Sequence, residues 1–436
     1  MKKFFALMLV VLILSTSVFA AGAQETPSAD QKTSAETKQT LRITGLSWQV
    51  QKIFIQQAAE AFMKDHPDVT VEISTYAEPS VVANYAIDWS RGKTPVDIAI
   101  VSGAQFAAQF VPKGLIYDFD KDLNFFTGDF SKDAFVNAGL ENGQVAGQQY
   151  VIPLIIETYA VVVNKQMFKE AGLLDRNGDP LTPKTWEEFY QFAKKLTKTS
   201  GGQVVQQGAS IQWSSVNMYA ALLAVLRGAR GDIYGPDGLT LAFDNPEFRE
   251  ILRVWKKGVD EGVFSKEMYV DNMAGRNSLM AGKVAMLLDS GGRFIEGGQT
   301  LGIENVTVMP FPGADTGGSF GFGAGVIIPK STEVPELAMQ FIKEQLLGEM
   351  VQTNTVNQYG KMPSMLRHYD GADAPEWQVL KQIADKSGAI PTYKDFAKFQ
   401  KEAPPLVQNY LDGRIDLETT ITRLQNLAIS LDKSLI

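Results

Sequence analysis

Leu41-Arg42-Ile43-Thr44-Gly45-Leu46 alternates apolar and polar positions and predicts a strand. Behind it, Ile53, Phe54, Ala58, Ala61 and Phe62 recur at helical spacing, which predicts a helix from Val50 to His66 that Pro67 ends. Val69 to Ile73 is a second β-rich run, a helix is expected from Ser80 to Arg91, and Val96 to Val101 is a third strand. Strand and helix keep alternating down the chain, the pattern of an α/β fold with a mostly parallel sheet and helices on its faces. Several helix starts carry their own signals. Thr185-Trp186-Glu187-Glu188 reads as a capping box opening a helix toward Leu196. Asp244-Asn245-Pro246 sets a capping side chain and an N1 proline before a helix from Glu247 to Glu261, and Pro335 opens another through Leu347. No repeat of solenoid length is visible.

The N-terminal end of the chain differs from the rest. Lys2 and Lys3 precede an unbroken apolar run from Phe4 to Leu14, and the small residues Ser15 to Ala23 offer cleavage points after Ala20 or Ala23. That run is shorter than the ~20 apolar residues a membrane-spanning helix needs, so residues 1–23 read as a cleaved export signal. Residues 24–39 are rich in Ser, Thr, Ala, Gln and Glu and read as a flexible leader. The net charge of −8 becomes −10 once Lys2 and Lys3 are removed. An acidic, well-mixed surface argues against nucleic acid as a partner. With no cysteine there are no disulfides, no thiolate metal sites and no lipid-modified N-terminal Cys.

Catalytic motifs fail on context. Gly317-Gly318-Ser319-Phe320-Gly321 matches G-x-S-x-G, but a Pro-rich turn precedes it and a strand, Gly325 to Pro329, follows; a nucleophile elbow needs the reverse. Gly321, Gly323 and Gly325 likewise lack the helix a dinucleotide fingerprint requires. His66 and His368 are the only histidines and neither has a partner at metal-ligand spacing. Asp175 to Asp179 begins like a calcium loop, but Pro180 and Trp186 stand where the turn glycine and final glutamate belong. No metal and no cofactor is expected. A spatial pair of carboxylates for glycoside hydrolysis stays open.

From Thr40 to the C-terminus the chain resembles the extracellular solute-binding proteins of family 1, the maltose-type importer receptors. The motifs that carry the resemblance run in order: Phe62 to Val69; Pro95-Val96-Asp97-Ile98 with Phe110 to Leu115; Tyr150-Val151-Ile152-Pro153 with Tyr159 to Phe168; Pro183 to Phe189; Gly282-Lys283-Val284-Ala285-Met286; and Met309 to Gly313 with Gly323-Ala324-Gly325, Pro335 to Ala338 and Phe341-Ile342. Val163 departs from the tyrosine usual before Asn164. The resemblance implies a periplasmic-binding-protein fold, two α/β lobes joined by a two- to three-segment hinge around a ligand cleft. One lobe would comprise 40–153 and 324–384, the other 154–323 and 385–436, with crossings near 153–158, 319–325 and 385–391. It also implies a sugar ligand, permease subunits of an ATP-driven importer as partners, a periplasmic location and a monomer.

A sugar site calls for aromatic platforms and bidentate polar side chains on loops at the carboxyl ends of strands. Trp48 and Gln49 follow the first strand, and Ser102 and Gln105 follow the third, where the family places polar contacts. Glu157 stands where maltose-type receptors carry a ligand-binding acid. Trp213 and Asn217, with Tyr219 less strongly indicated, lie in a polar-aromatic loop; Asp289, Ser290 and Arg293 follow the strand from Val284; Phe322 and Gly323 line the return hinge. Trp186 and Trp255, on helices, are assigned to packing, and Arg293 has a surface ion pair as its competing reading. Same-fold receptors for glycerol phosphate, a polyamine or a metal chelate, and an exported glycoside hydrolase, are the alternatives.

Overall fold

The computed structural model describes residues 38–76, 84–369 and 374–436. The expected export signal and the leader up to residue 37 lie outside the described residues, as does the start of the helix expected from Ser80. Gln39, the last residue assigned to the leader, already begins a strand.

In chain order the strands are β1 (Gln39–Leu46), β2 (Val69–Tyr76), β3 (Ile98–Val101), the hairpin of β4 (Gln144–Val145) and β5 (Gln148–Gln149), β6 (Ile152–Glu157) and β7 (Tyr159–Asn164). β8 (Lys198–Ser200), β9 (Gln203–Ile211), β10 (Phe264–Ser265), β11 (Val284–Ser290), β12 (Val306–Met309), β13 (Phe322–Ile327) and β14 (Met362–Pro363) follow. They build two principal sheets, ordered β14-β6-β13-β3-β1-β2 and β10-β9-β11-β7-β12. Each has a parallel trio, β2-β1-β3 in the first and β10-β9-β11 in the second. The remaining members are antiparallel. The mostly parallel sheet expected from the alternation is thus two mixed sheets. β7 and β13, which flank the passages between lobes, enter their sheets against the direction of the βα units, whereas β6 runs with them.

Helices cover both faces. The first expected helix is two, Ser47–Lys52 and Ile55–Asp65, because Phe54 takes φ 55° and turns its ring into the core. At Thr185 the capping is half as anticipated: Oγ1 accepts from the Glu188 amide at 3.1 Å, while the Glu188 carboxylate takes the Lys184 amide, one residue earlier. Asn245 caps as predicted, its Oδ1 accepting from the Phe248 amide at 2.7 Å ahead of the helix Pro246–Asp260. Asn245→Ala should therefore cost about 1 kcal/mol in urea unfolding at unchanged ligand affinity.

The chain leaves the first sheet at Glu157 and enters the second at Tyr159, so the first crossing is Thr158, and residues 154–157 belong to the first lobe. The return crossing ends where β13 begins, at Phe322. The helix Glu376–Ala384, ahead of the expected crossing at 385–391, already packs on β12 of the second lobe. Residues 387–388 nevertheless run along the hinge: Gly321 N donates to Gly388 O at 2.8 Å, and Ser319 N donates to Ser387 Oγ at 3.1 Å. Ser319, the serine of the G-x-S-x-G match, is fully buried here, and its hydroxyl accepts from the Tyr159 amide at 3.3 Å. One large apolar core fills the second lobe and two clusters fill the first, and a further cluster containing Ile156, Val162, Phe294 and Trp377 runs through the crossings.

Candidate functional site

The carboxyl ends of the parallel strands of both sheets face one cavity of about 450 Å³. β1 delivers Leu46 and Trp48 to it and β3 delivers Ser102; β6 ends on Glu157 and β11 on Asp289 and Ser290. Open α/β sheets bind ligands at this edge because the strand ends leave loops and helix N-termini free to face a crevice.

Of the twelve residues expected from the sequence, Trp48, Ser102, Glu157, Asn217, Asp289, Ser290, Arg293 and Gly323 line this cavity. Tyr219 lines it too. Gln49 is fully buried and stands behind the wall: its Oε1 accepts from the Leu46 amide at 2.9 Å and its Nε2 donates to Ser102 Oγ at 3.2 Å. Gln105 similarly donates to the Ser102 carbonyl at 2.9 Å, and Phe106 takes the lining position. Both glutamines position Ser102 rather than meet the cavity.

Trp213 is a correction. It is fully buried against Trp255, Phe264 and Tyr269. Strand parity is the reason: Gln212 points its Nε2 to Asp289 Oδ2 at 3.0 Å on the cleft side, so the next side chain faces the opposite way, into the core. Phe322 pairs its backbone with Glu157; its side chain lies outside what is described.

Two ion pairs organise the cavity wall. Lys361 Nζ stands 2.7 Å from Glu157 Oε1, with both side chains almost wholly buried. Burial alone would raise the Glu157 pKa, but the Lys361 and Arg293 charges, with hydrogen bonds from Lys361 and Ser290, outweigh it and hold the carboxyl down at about 2. Burial and the neighbouring Arg293 push Lys361 down to about 8, against the pull of Glu157 and Glu296. Arg276 grips Asp289 with a two-pronged guanidinium, Nε to Oδ2 at 2.8 Å and Nη2 to Oδ1 at 3.2 Å. Burial opposes ionisation of Asp289 too, yet the Arg276 and Arg293 charges keep its carboxyl below the usual range.

Arg293 is no surface residue. Its Nη1 meets Glu296 Oε1 at 2.6 Å, and the same oxygen receives Lys52 Nζ at 3.2 Å from the other lobe. Lys361 and Arg276 went unread in the sequence. Lys361 adjoins a two-residue edge strand and Arg276 sits in the short helix Ala274–Met280, neither of which carries a pattern that points at a cleft.

Two α/β lobes, a hinge of laced crossings and a polar cavity at the facing strand ends define a clamshell solute receptor. The chain belongs to the bacterial extracellular solute-binding protein family, whose model matches residues 48–346. It is 23% identical over 316 residues to the mannitol-binding protein of Pseudomonas aeruginosa, covering 69% of this chain and 68% of that one. It is 23% identical over 357 residues to the maltodextrin-binding protein of Bacillus subtilis, covering 79% and 76%. Among solved structures, the solute-binding protein of Thermotoga lettingae bound with α-D-tagatose superposes with a TM-score of 0.73 at 20% identity, covering 89% of this chain and all of that one.

Proposed function

We propose that this protein is the periplasmic receptor of an ATP-driven importer and that its cargo is a carbohydrate, held as the lobes close and handed to permease subunits at the membrane. The observation that carries the reading is the cavity itself: Trp48 and Tyr219 offer ring faces, and Ser102, Asn217, Glu157 and Asp289 offer hydroxyl partners, from both lobes at once. Sugars present that mixture of apolar faces and peripheral hydroxyls. The relatives named for mannitol and maltodextrin, and the tagatose-bound structure, support the same cargo class.

The carboxylates support binding over hydrolysis. A glycosidase needs one carboxylic acid still protonated near neutral pH. Glu157 and Asp289 are both held ionised by their cationic partners. Their oxygens are acceptors for hydroxyl groups, with no proton to give a leaving group. No helix among the described residues is long and apolar enough to cross a membrane.

Thermal unfolding against neutral mono- and oligosaccharides, sugar derivatives, polyamines and glycerol phosphates tests the reading. A bound sugar at 100 times its dissociation constant should add about 2.7 kcal/mol of stability and be recovered chemically unchanged. Stabilisation by polyamines or glycerol phosphate alone would overturn the carbohydrate assignment, and consumption of the sugar would overturn the receptor reading.

A further inference from the structure

The charges around the cavity do not balance. Among the described residues Lys52, Arg276, Arg293 and Lys361 face it or its wall, against Glu157, Asp289 and Glu296. Arg276 and Asp289 cancel in their bidentate pair, which leaves three cations and two carboxylates. Glu296 must serve two of those cations through one oxygen, and Glu157 serves the third.

The surplus falls on Arg293. Its side chain is only 10% exposed, it lines the cavity, and its Nε has no hydrogen-bond partner among the described residues. A buried guanidinium N–H without an acceptor is costly, and a buried charge that shares its carboxylate with a second cation is only partly offset. Arg293 is also the first residue of the helix Arg293–Leu301, whose cap Gly292 supplies no side-chain acceptor, so the positive end of the helix dipole adds to the same field. The repulsion is felt by Lys361, whose ammonium is harder to protonate for having Arg293 beside it. A sugar hydroxyl in the cavity would leave the excess charge, whereas an anion there would offset it.

We infer that the cargo carries a negatively charged group, a carboxylate or a phosphoryl, seated against Arg293 and Lys361. The inference rests on the carbohydrate reading and narrows it to sugar acids or sugar phosphates.

Titration calorimetry with matched sets decides it: glucose, glucuronate and glucose 6-phosphate; the galactose and mannose counterparts; and glycerol 3-phosphate. The expected result is an acidic member binding about tenfold or more tightly than its neutral parent, more weakly as salt rises. Preference for the uronate or for the phosphate tells the two anions apart. In Arg293→Gln the acid-to-parent affinity ratio should fall by about tenfold, and Arg293→Lys should keep most of it, which separates a charge effect from a structural one. A neutral parent binding as well as its acids, no acidic member binding at all, or an unchanged ratio in Arg293→Gln overturns the inference. Glycerol 3-phosphate binding where no sugar or sugar acid does would instead sink the carbohydrate reading and uphold the anion.

Discussion

Glu157→Ala should cost about 3–5 kcal/mol of folding stability at neutral pH and abolish measurable ligand binding. Removing the carboxylate leaves the Lys361 ammonium and the Arg293 guanidinium facing one another in a site where both are buried. Direct binding losses would follow from the missing acceptor, but the stability loss is the sharper signature, because a ligand contact alone would not produce it. The double change Glu157→Leu with Lys361→Met, which replaces the pair by apolar volume, should recover most of the stability while binding stays lost. Urea unfolding of the three proteins is the measurement, and a cost below about 1 kcal/mol for the single change would mean that the pair is not buried as described.

The pH dependence carries matching signs. With a folded pKa of about 2 against 4.5 for the free group, the Glu157 contribution is complete above 4.5 and is lost as pH falls toward 2. Lys361 subtracts where Glu157 adds, with the same slope against pH. Held at about 8 against 10.5, it subtracts stability below 8, and that penalty is relieved as pH rises from 8 to 10.5. Without its partner the penalty on Lys361 grows, so the gap between Glu157→Ala and the native protein should narrow in alkaline solution.

Gly292→Ala is expected to weaken ligand binding by about 100-fold or more while leaving folding stability nearly unchanged. Gly292 has φ −61°, a conformation any residue adopts, so the substitution is not strained by itself. A Cβ there, however, would fall 1.6 Å from the carbonyl oxygen of Gly360 in the opposite lobe. Gly360 returns the contact: it has φ 64°, and its own Cβ would stand 2.0 Å from Gly292 O. The two backbones touch with no room for a methyl group, so the variant must hold the lobes apart at this point. A ligand that needs both lobes then meets a conformation that is rarely populated. Small-angle scattering with saturating ligand should show the native protein compact and the variant extended. Equal compaction of the two would show that the Gly292–Gly360 approach does not limit closure.

Much of the fold could be read from periodicity. β1, β2 and β3 stand where alternation placed them, and the caps at Thr185 and Asn245 act locally, so neighbouring residues encode them. Ser102 and Asp289, which line the cavity, could be placed because the strand before each points to the next loop, whereas Glu157 was placed by the resemblance. What escaped depends on distance along the chain. Lys361 meets Glu157 across more than 200 residues and comes from a segment too short to have a period. Trp213 was misread two residues beyond a strand, where parity alone decides between cleft and core. The lobe of the helix Glu376–Ala384 was hidden for the same reason: it is amphipathic whichever lobe it packs in, and only its contact with β12 assigns it.

The lacing of the crossings restricts the kind of motion available. Tyr159, Ser319 and Ser387 belong to separate stretches of chain, yet one chain of hydrogen bonds runs from the Tyr159 amide to the Ser319 hydroxyl and from the Ser319 amide to the Ser387 hydroxyl. The start of the return crossing is therefore tied to residues 159 and 387, and these stretches move as one piece. Turning of the first lobe about that piece changes the separation of the two outer rims. A partner touching both rims would then read occupancy as a length, without touching the cargo.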